Sequence, residues 1–187
     1  MAMSRLRIFQ DANGQAALEA HEDGKAIAAA LAEVGIRFER WPTHEDVCAG
    51  ATQDAVLERY AEEVRRIMED GGYQSCDVVS MTPDHPGASE ARGKFLAEHT
   101  HNEDEVRFFV DGAGLFTLHL EDKVYEVLCE RGDFLRVPAQ TKHWFDMGPT
   151  PHFLAIRIFS NPEGWAANFT GSPIAEQFPR FEPSPCV

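Results

Sequence analysis

The stretch Gly93-Lys-Phe-Leu-Ala-Glu-His99-Thr-His101-Asn-Glu-Asp-Glu105-Val-Arg107 sets two histidines, a carboxylate and an arginine close together in the chain. In an extended strand, residues i and i+2 project from one face. A strand over 94–101 would therefore carry Phe95, Ala97, His99 and His101 on a common side. Asn102 to Asp104 reads as a break, and the next strand has Glu105, Arg107 and Phe109 on one face. If both faces look into a single barrel, two imidazoles and a carboxylate converge as in a facial non-heme iron site. Glu98 points the other way. With Asn102 and Glu103 it flanks the donors, either supporting them from behind or as solvated charge.

A third imidazole comes from Gly132-Asp133-Phe-Leu-Arg-Val-Pro138-Ala-Gln-Thr-Lys-His143-Trp-Phe145. His143 opens a strand, and Phe145 shares its side. Three imidazoles and one carboxylate suit a divalent first-row metal, Fe(II) or Ni(II) above zinc, with positions left for a bidentate substrate. Phe95 and Phe145 are expected to wall the pocket. His21, His44, His85, His119 and His152 lack comparable company and read as surface or structural residues.

The chain around these stretches reads as mainly β. Segments 76–82, 94–101, 105–111, 115–120, 123–128, 134–137, 143–146 and 153–159 are short, rich in Val, Phe, Ile, Leu or Tyr, and bounded by Gly, Pro, Asn or Asp. That spacing predicts an antiparallel barrel or sandwich. Upstream, 5–10 reads as a strand closed by the turn Asp11-Ala12-Asn13-Gly14. A helix is expected over 22–34, with Ile27, Leu31 and Val34 on one face and Gly35 as its C-terminal stop. A strand follows over 36–41. The strongest helix signal runs over 53–69, where Val56, Leu57, Tyr60, Val64, Ile67 and Met68 recur at helical spacing before Gly71-Gly72. Beyond Ser160 the chain reads as an irregular tail, with Pro179, Pro183 and Pro185 forbidding a regular end. The expectation is one domain: a helical and strand segment 1–72, a barrel 73–160 and a tail 161–187.

Composition limits the function. The 187 residues are 43% hydrophobic and 26% charged, ordinary globular usage that excludes coiled-coil and disordered classes. With 17 Lys+Arg against 31 Asp+Glu, the net charge of −14 repels phosphate backbones and anionic lipid, so nucleic acid and membrane are poor partners. No apolar run approaches the roughly 20 residues of a membrane span. The start, Met1-Ala2-Met3-Ser4, shows no signal-peptide pattern, so a cytoplasmic location is the expectation. Cys48, Cys76, Cys129 and Cys186 form no C-x-x-C pair and read as reduced thiols.

Gly93, His99, His101, Glu105 and Gly112 fill every fixed position of the first cupin motif, G-x5-H-x-H-x3,4-E-x6-G. Gly132, Pro138 and His143 match the second, G-x5-P-x-G-x2-H-x3-N, with Gln140 in place of Gly and Met147 in place of Asn. The runs His-Asn-Glu-Asp-Glu-Val-Arg-Phe (101–108) and Pro-Ala-Gln-Thr-Lys-His-Trp-Phe (138–145) are more specific. On these the chain resembles the acireductone dioxygenase family of the methionine salvage pathway, over most of its length, and Gln140 is at home there. The resemblance implies a cupin jelly-roll β-barrel, a monomer, and His99, His101, Glu105 and His143 as ligands to one Fe(II) or Ni(II) per chain. It implies an acireductone, 1,2-dihydroxy-3-keto-5-methylthiopentene, as substrate with O2. The products it implies are formate and 4-methylthio-2-oxobutanoate with iron, or formate, carbon monoxide and 3-methylthiopropanoate with nickel. It further suggests Trp165 as a wall or lid over the methylthio arm. Arg107, a permanent cation on the face of Glu105, is the catalytic candidate for stabilising the substrate dianion. Two alternatives stand beside this: another metal-dependent cupin dioxygenase, and a non-enzymatic ligand-binding cupin in which Arg107 and the aromatic walls would have no task.

Overall fold

A computed structural model describes residues 3–161 and 165–182. Met1, Cys186, Pro183 and Pro185 lie outside them. The architecture is two antiparallel sheets that share one long strand. The N-terminal region supplies β1 (Arg5–Gln10), β2 (Glu19–His21), α1 (Gly24–Ala32), β3 (Arg37–Arg40), α2 (Gln53–Arg59) and α3 (Ala61–Gly71). Then follow β4 (Ser75–Met81), α4 (Ala88–Phe95), β5 (His99–Thr100), β6 (Glu105–Leu120), β7 (Lys123–Glu130), β8 (Asp133–Val137), β9 (Lys142–Asp146), β10 (Phe153–Phe159) and β11 (Asn168–Phe169).

One sheet runs β11-β5-β9-β6-β7-β1-β2 and the other β3-β8-β6-β10-β4. The first half of β6 pairs with β8 and β10, and its second half with β7 and β9. The strand changes sheets at Gly112, whose φ is +69°. A side chain there would meet the His152 carbonyl oxygen at 1.9 Å, so both the turn and the close approach require glycine. Sequence reading placed two strands in this region, 105–111 and 115–120. The backbone runs through without a break because a bulge needs no loop.

The inner faces enclose the main core, which includes Leu6, Ile8, Phe109, Phe116, Leu118, Phe145 and Phe153. A second core packs Val56, Tyr60, Val64 and Ile67 of the helices onto the outward residues Val106, Phe108, Leu154 and Ile156. A third clamps Ile174, Ala175 and Phe178 of the tail over Phe9, Val124 and Trp144. The described part of the tail, 165–182, thus carries some regular structure, with β11 and a 3-10 turn over Ile174–Gln177.

Two expectations need correction. The helix over 53–69 is two helices, broken at Tyr60 (φ −108°, ψ 22°). The Tyr60 hydroxyl accepts the His44 backbone N–H at 2.9 Å, a tertiary contact invisible to helical periodicity. The strand over 94–101 is not continuous: α4 takes in Lys94 and Phe95, 96–98 are irregular, and only His99 and Thr100 are paired strand. Elsewhere the local signals hold. Asp23 caps α1 by accepting the Lys25 and Ala26 N–H groups, and Gly35 follows with φ +78°. Among the described residues no helix is long and apolar enough to cross a membrane, and Cys48, Cys76 and Cys129 are free.

Candidate metal centre

Strand pairing brings the histidines together. His99 of β5 stands directly opposite His143 of β9, and opposed residues in antiparallel strands share a face. His101 follows β5. One ring nitrogen from each of His99, His101 and His143 lies within 4.8 Å of the others, and all three residues are buried. Their orientation is fixed from behind. The Nδ1 of His99 faces the Ala97 carbonyl, that of His101 the Ala166 carbonyl and that of His143 the Thr141 carbonyl, each at 2.8 Å. A carbonyl oxygen only accepts, so each Nδ1 carries the hydrogen and each Nε2 presents its lone pair to the centre.

Glu105 opens β6 beside them. Its Oε2 lies 2.8 Å from His143 Nε2 and 3.2 Å from His101 Nε2. Its Oε1 accepts from Arg107 Nε at 2.8 Å. Burial opposes its ionisation, but the Arg107 charge and the two imidazoles hold the carboxyl well below the usual range. Burial and the neighbouring His143 lower His99 to about 4, so it is a neutral donor at ordinary pH. At His101 burial acts downward as well, yet the contact with Glu105 prevails and its value is raised. An ionised carboxylate oxygen facing two imidazole lone pairs repels them unless a proton or a cation lies between. A divalent cation satisfies all four groups at once, so this donor set fits a metal.

Aromatic rings close the site around Arg107. Its guanidinium carbon lies 4.8 Å from the Phe145 ring centre, 5.2 Å from Phe116 and 5.5 Å from Trp165. Trp165 stacks on His101 with centroids 5.9 Å apart and donates its Nε1–H to the Asp104 carbonyl. Phe95 does not share a strand face with His99, since it ends α4. The helix still brings its half-buried ring to 6.4 Å from the His99 ring.

The flanking polar residues tie the donor loop to the tail. Glu98 is buried; its carboxylate takes a 2.6 Å contact from His119 Nδ1 and a 2.7 Å bond from the Thr170 hydroxyl. Asn102 Oδ1 accepts from Gln140 and Asn168 side chains. Glu103 accepts from Ser160 and Asn161. Gln140 has φ +65°, which explains why the general motif has glycine there. Its N–H bonds the His101 carbonyl at 2.8 Å, anchoring the strained residue.

Sequence reading missed Arg157. It stands opposite Arg107 in the β6–β10 pairing, and its guanidinium carbon lies 5.6 Å from the Trp165 ring centre. Asp77 binds it at 2.8 and 2.6 Å. The signal was present: Phe153, Ala155 and Arg157 share one parity of β10, and the first two face the main core.

The model of the ARD/ARD′ family matches residues 5–167. The chain belongs to the ARD/ARD′ family. Acireductone dioxygenases of Hahella chejuensis and Pseudomonas aeruginosa are 57% and 53% identical to it over 180 residues, 96% of this chain and 97% and 99% of theirs. Among solved structures, an acireductone dioxygenase from Bacillus anthracis with a cadmium ion in its active centre superposes with a TM-score of 0.76. It is 29% identical and covers 90% of this chain and 99% of its own. The fold of this ARD/ARD′ member is accordingly the cupin barrel expected from the two motifs.

Proposed function

We propose that this chain is an acireductone dioxygenase of methionine salvage, acting as a single cytoplasmic domain and a monomer. His99, His101, Glu105 and His143 hold one Fe(II) or Ni(II). The observation that carries the reading is the convergence of three oriented, buried imidazoles and a carboxylate beside a buried arginine. The metal supplies Lewis acidity toward the two oxygens of an enediol.

The protein's own groups do the rest. Arg107 is a cation in a buried, aromatic setting, where a fixed charge acts more strongly than in water. Burial presses its value down and Glu105 partly restores it. Arg157 places a second positive charge beside it. Together they favour the substrate dianion, the form rich enough in electrons to react with O2. Phe145, Trp165 and Phe95 shield the site from water and offer apolar surface to the arm. Reaction with O2 then breaks carbon–carbon bonds of the acireductone, giving formate and 4-methylthio-2-oxobutanoate with iron, or formate, carbon monoxide and 3-methylthiopropanoate with nickel.

Product analysis tests this. Protein loaded with iron and protein loaded with nickel should each consume acireductone in air, and carbon monoxide should appear only with nickel. Failure of both forms to consume it would overturn the assignment.

A further inference from the structure

Phe169 is an exposed aromatic ring at one end of a row of opposed residues. It stands opposite His99 in the β11–β5 pairing. The row continues across the sheet through His143, Leu118, Tyr125 and Ile8 to Glu19. Opposed residues share a face, so the whole row points into the barrel. His99, His143, Leu118, Tyr125 and Ile8 are buried, whereas the two ends of the row, Glu19 and Phe169, are exposed, Phe169 by 56%. At this end the exposed residue is an apolar ring, on the outermost strand of the sheet, so an apolar edge beside the donors meets solvent there. The Phe169 ring centre is 5.7 Å from that of His99, and Phe95 reaches the same imidazole from α4.

This open ring is held firmly. On one side Thr170 donates its N–H to the Glu98 carbonyl at 3.1 Å and its hydroxyl to the Glu98 carboxylate at 2.7 Å. On the other side Asn168 donates to Asn102 at 3.3 Å. Fixing an exposed phenyl by a buried carboxylate gains little for the fold, since the ring itself covers little there.

We infer that Phe169, with Phe95, forms the apolar mouth of the site and grips the thioether arm of the acireductone, making Phe169 a specificity-determining residue. The inference rests on the function proposed above. The enediol end of such a substrate is anionic and belongs with Arg107 and the imidazoles. Its arm is apolar, with a polarizable sulfur that packs well against ring edges. Phe169 lies beside the donors yet outside the charged part of the site, where that arm would emerge.

The test compares two acireductones, one with the methylthioethyl arm and one with a methyl group in its place. In Phe169→Ala the ratio of kcat/KM for the long-armed over the short-armed substrate should fall roughly tenfold. Phe169→Tyr should restore it, and metal content should stay at that of the unsubstituted protein. Calorimetry gives a readout apart from turnover: the variant should lose affinity for 4-methylthio-2-oxobutanoate but not for 2-oxobutanoate. A ratio within about twofold of the parent protein, with unchanged calorimetry, overturns the inference. A parent protein that consumes neither acireductone overturns the proposed function instead, and the calorimetric difference then decides the role of Phe169 by itself.

Discussion

Each imidazole of the centre gives its Nδ1–H to a main-chain carbonyl, so its direction is set by backbone rather than by a mobile side chain. Arg107 differs, because its main polar partner, Glu105, is the carboxylate that faces the imidazoles. Replacing Arg107 by Met should leave the four donors in place, with one metal bound per chain by elemental analysis. It should lower kcat on the order of 10²–10³-fold, the usual loss when a charge-stabilising group is removed. Normal turnover by this variant would show that the dianion is stabilised elsewhere. Asp133 makes a different residue-scale prediction. Burial raises its carboxyl from 3.8 to about 6, against bonds from Ser4 and the Glu130 N–H and the charge of Arg40. Between those values the folded state keeps a proton that the unfolded chain has released. The group's contribution to stability therefore falls as pH rises from 4 to 6, by up to about 3 kcal/mol. Asp133→Asn has no such proton. Urea denaturation should show its stability improving relative to the parent protein from pH 4 to 7, and a constant difference would contradict the assignment.

Among the elements, β6 does most to place the site. It carries Glu105 and Arg107 at one end, crosses from sheet to sheet at Gly112, and pairs with β9, which carries His143. Gly112→Ala must force a side chain into the His152 carbonyl at a backbone conformation suited to glycine. It should cost at least about 2 kcal/mol, read as a lower urea midpoint. An unchanged midpoint would mean that the strand can cross without a glycine at this position. The sequence made the centre legible because its donors sit at short, regular spacing: His99 with His101, then Glu105 with Arg107. It hid α4, since 94–101 alternates like a strand although the chain coils until Phe95. The break at Tyr60 was hidden because it depends on His44, and Arg157 because its partner in space is far away in sequence. Local periodicity reports the faces of an element, whereas these features come from contacts between elements.

At the scale of the molecule, the tail is part of the centre. Ala166 offers the carbonyl that orients His101, Trp165 stacks on that ring, and Thr170 bonds Glu98 beside His99. The apolar contacts of Ile174 and Phe178 with Phe9 and Trp144 hold this segment against the sheet. Donors from β5, β6 and β9 and a support from the tail thus meet at one point, and one cation should complete all of them together. Oxygen uptake with acireductone, followed while metal-free protein is titrated with Fe(II), measures this directly. Uptake should rise linearly and level off at one equivalent per chain. Full uptake without metal, or a rise that continues well past one equivalent, would contradict a single centre built from His99, His101, Glu105 and His143.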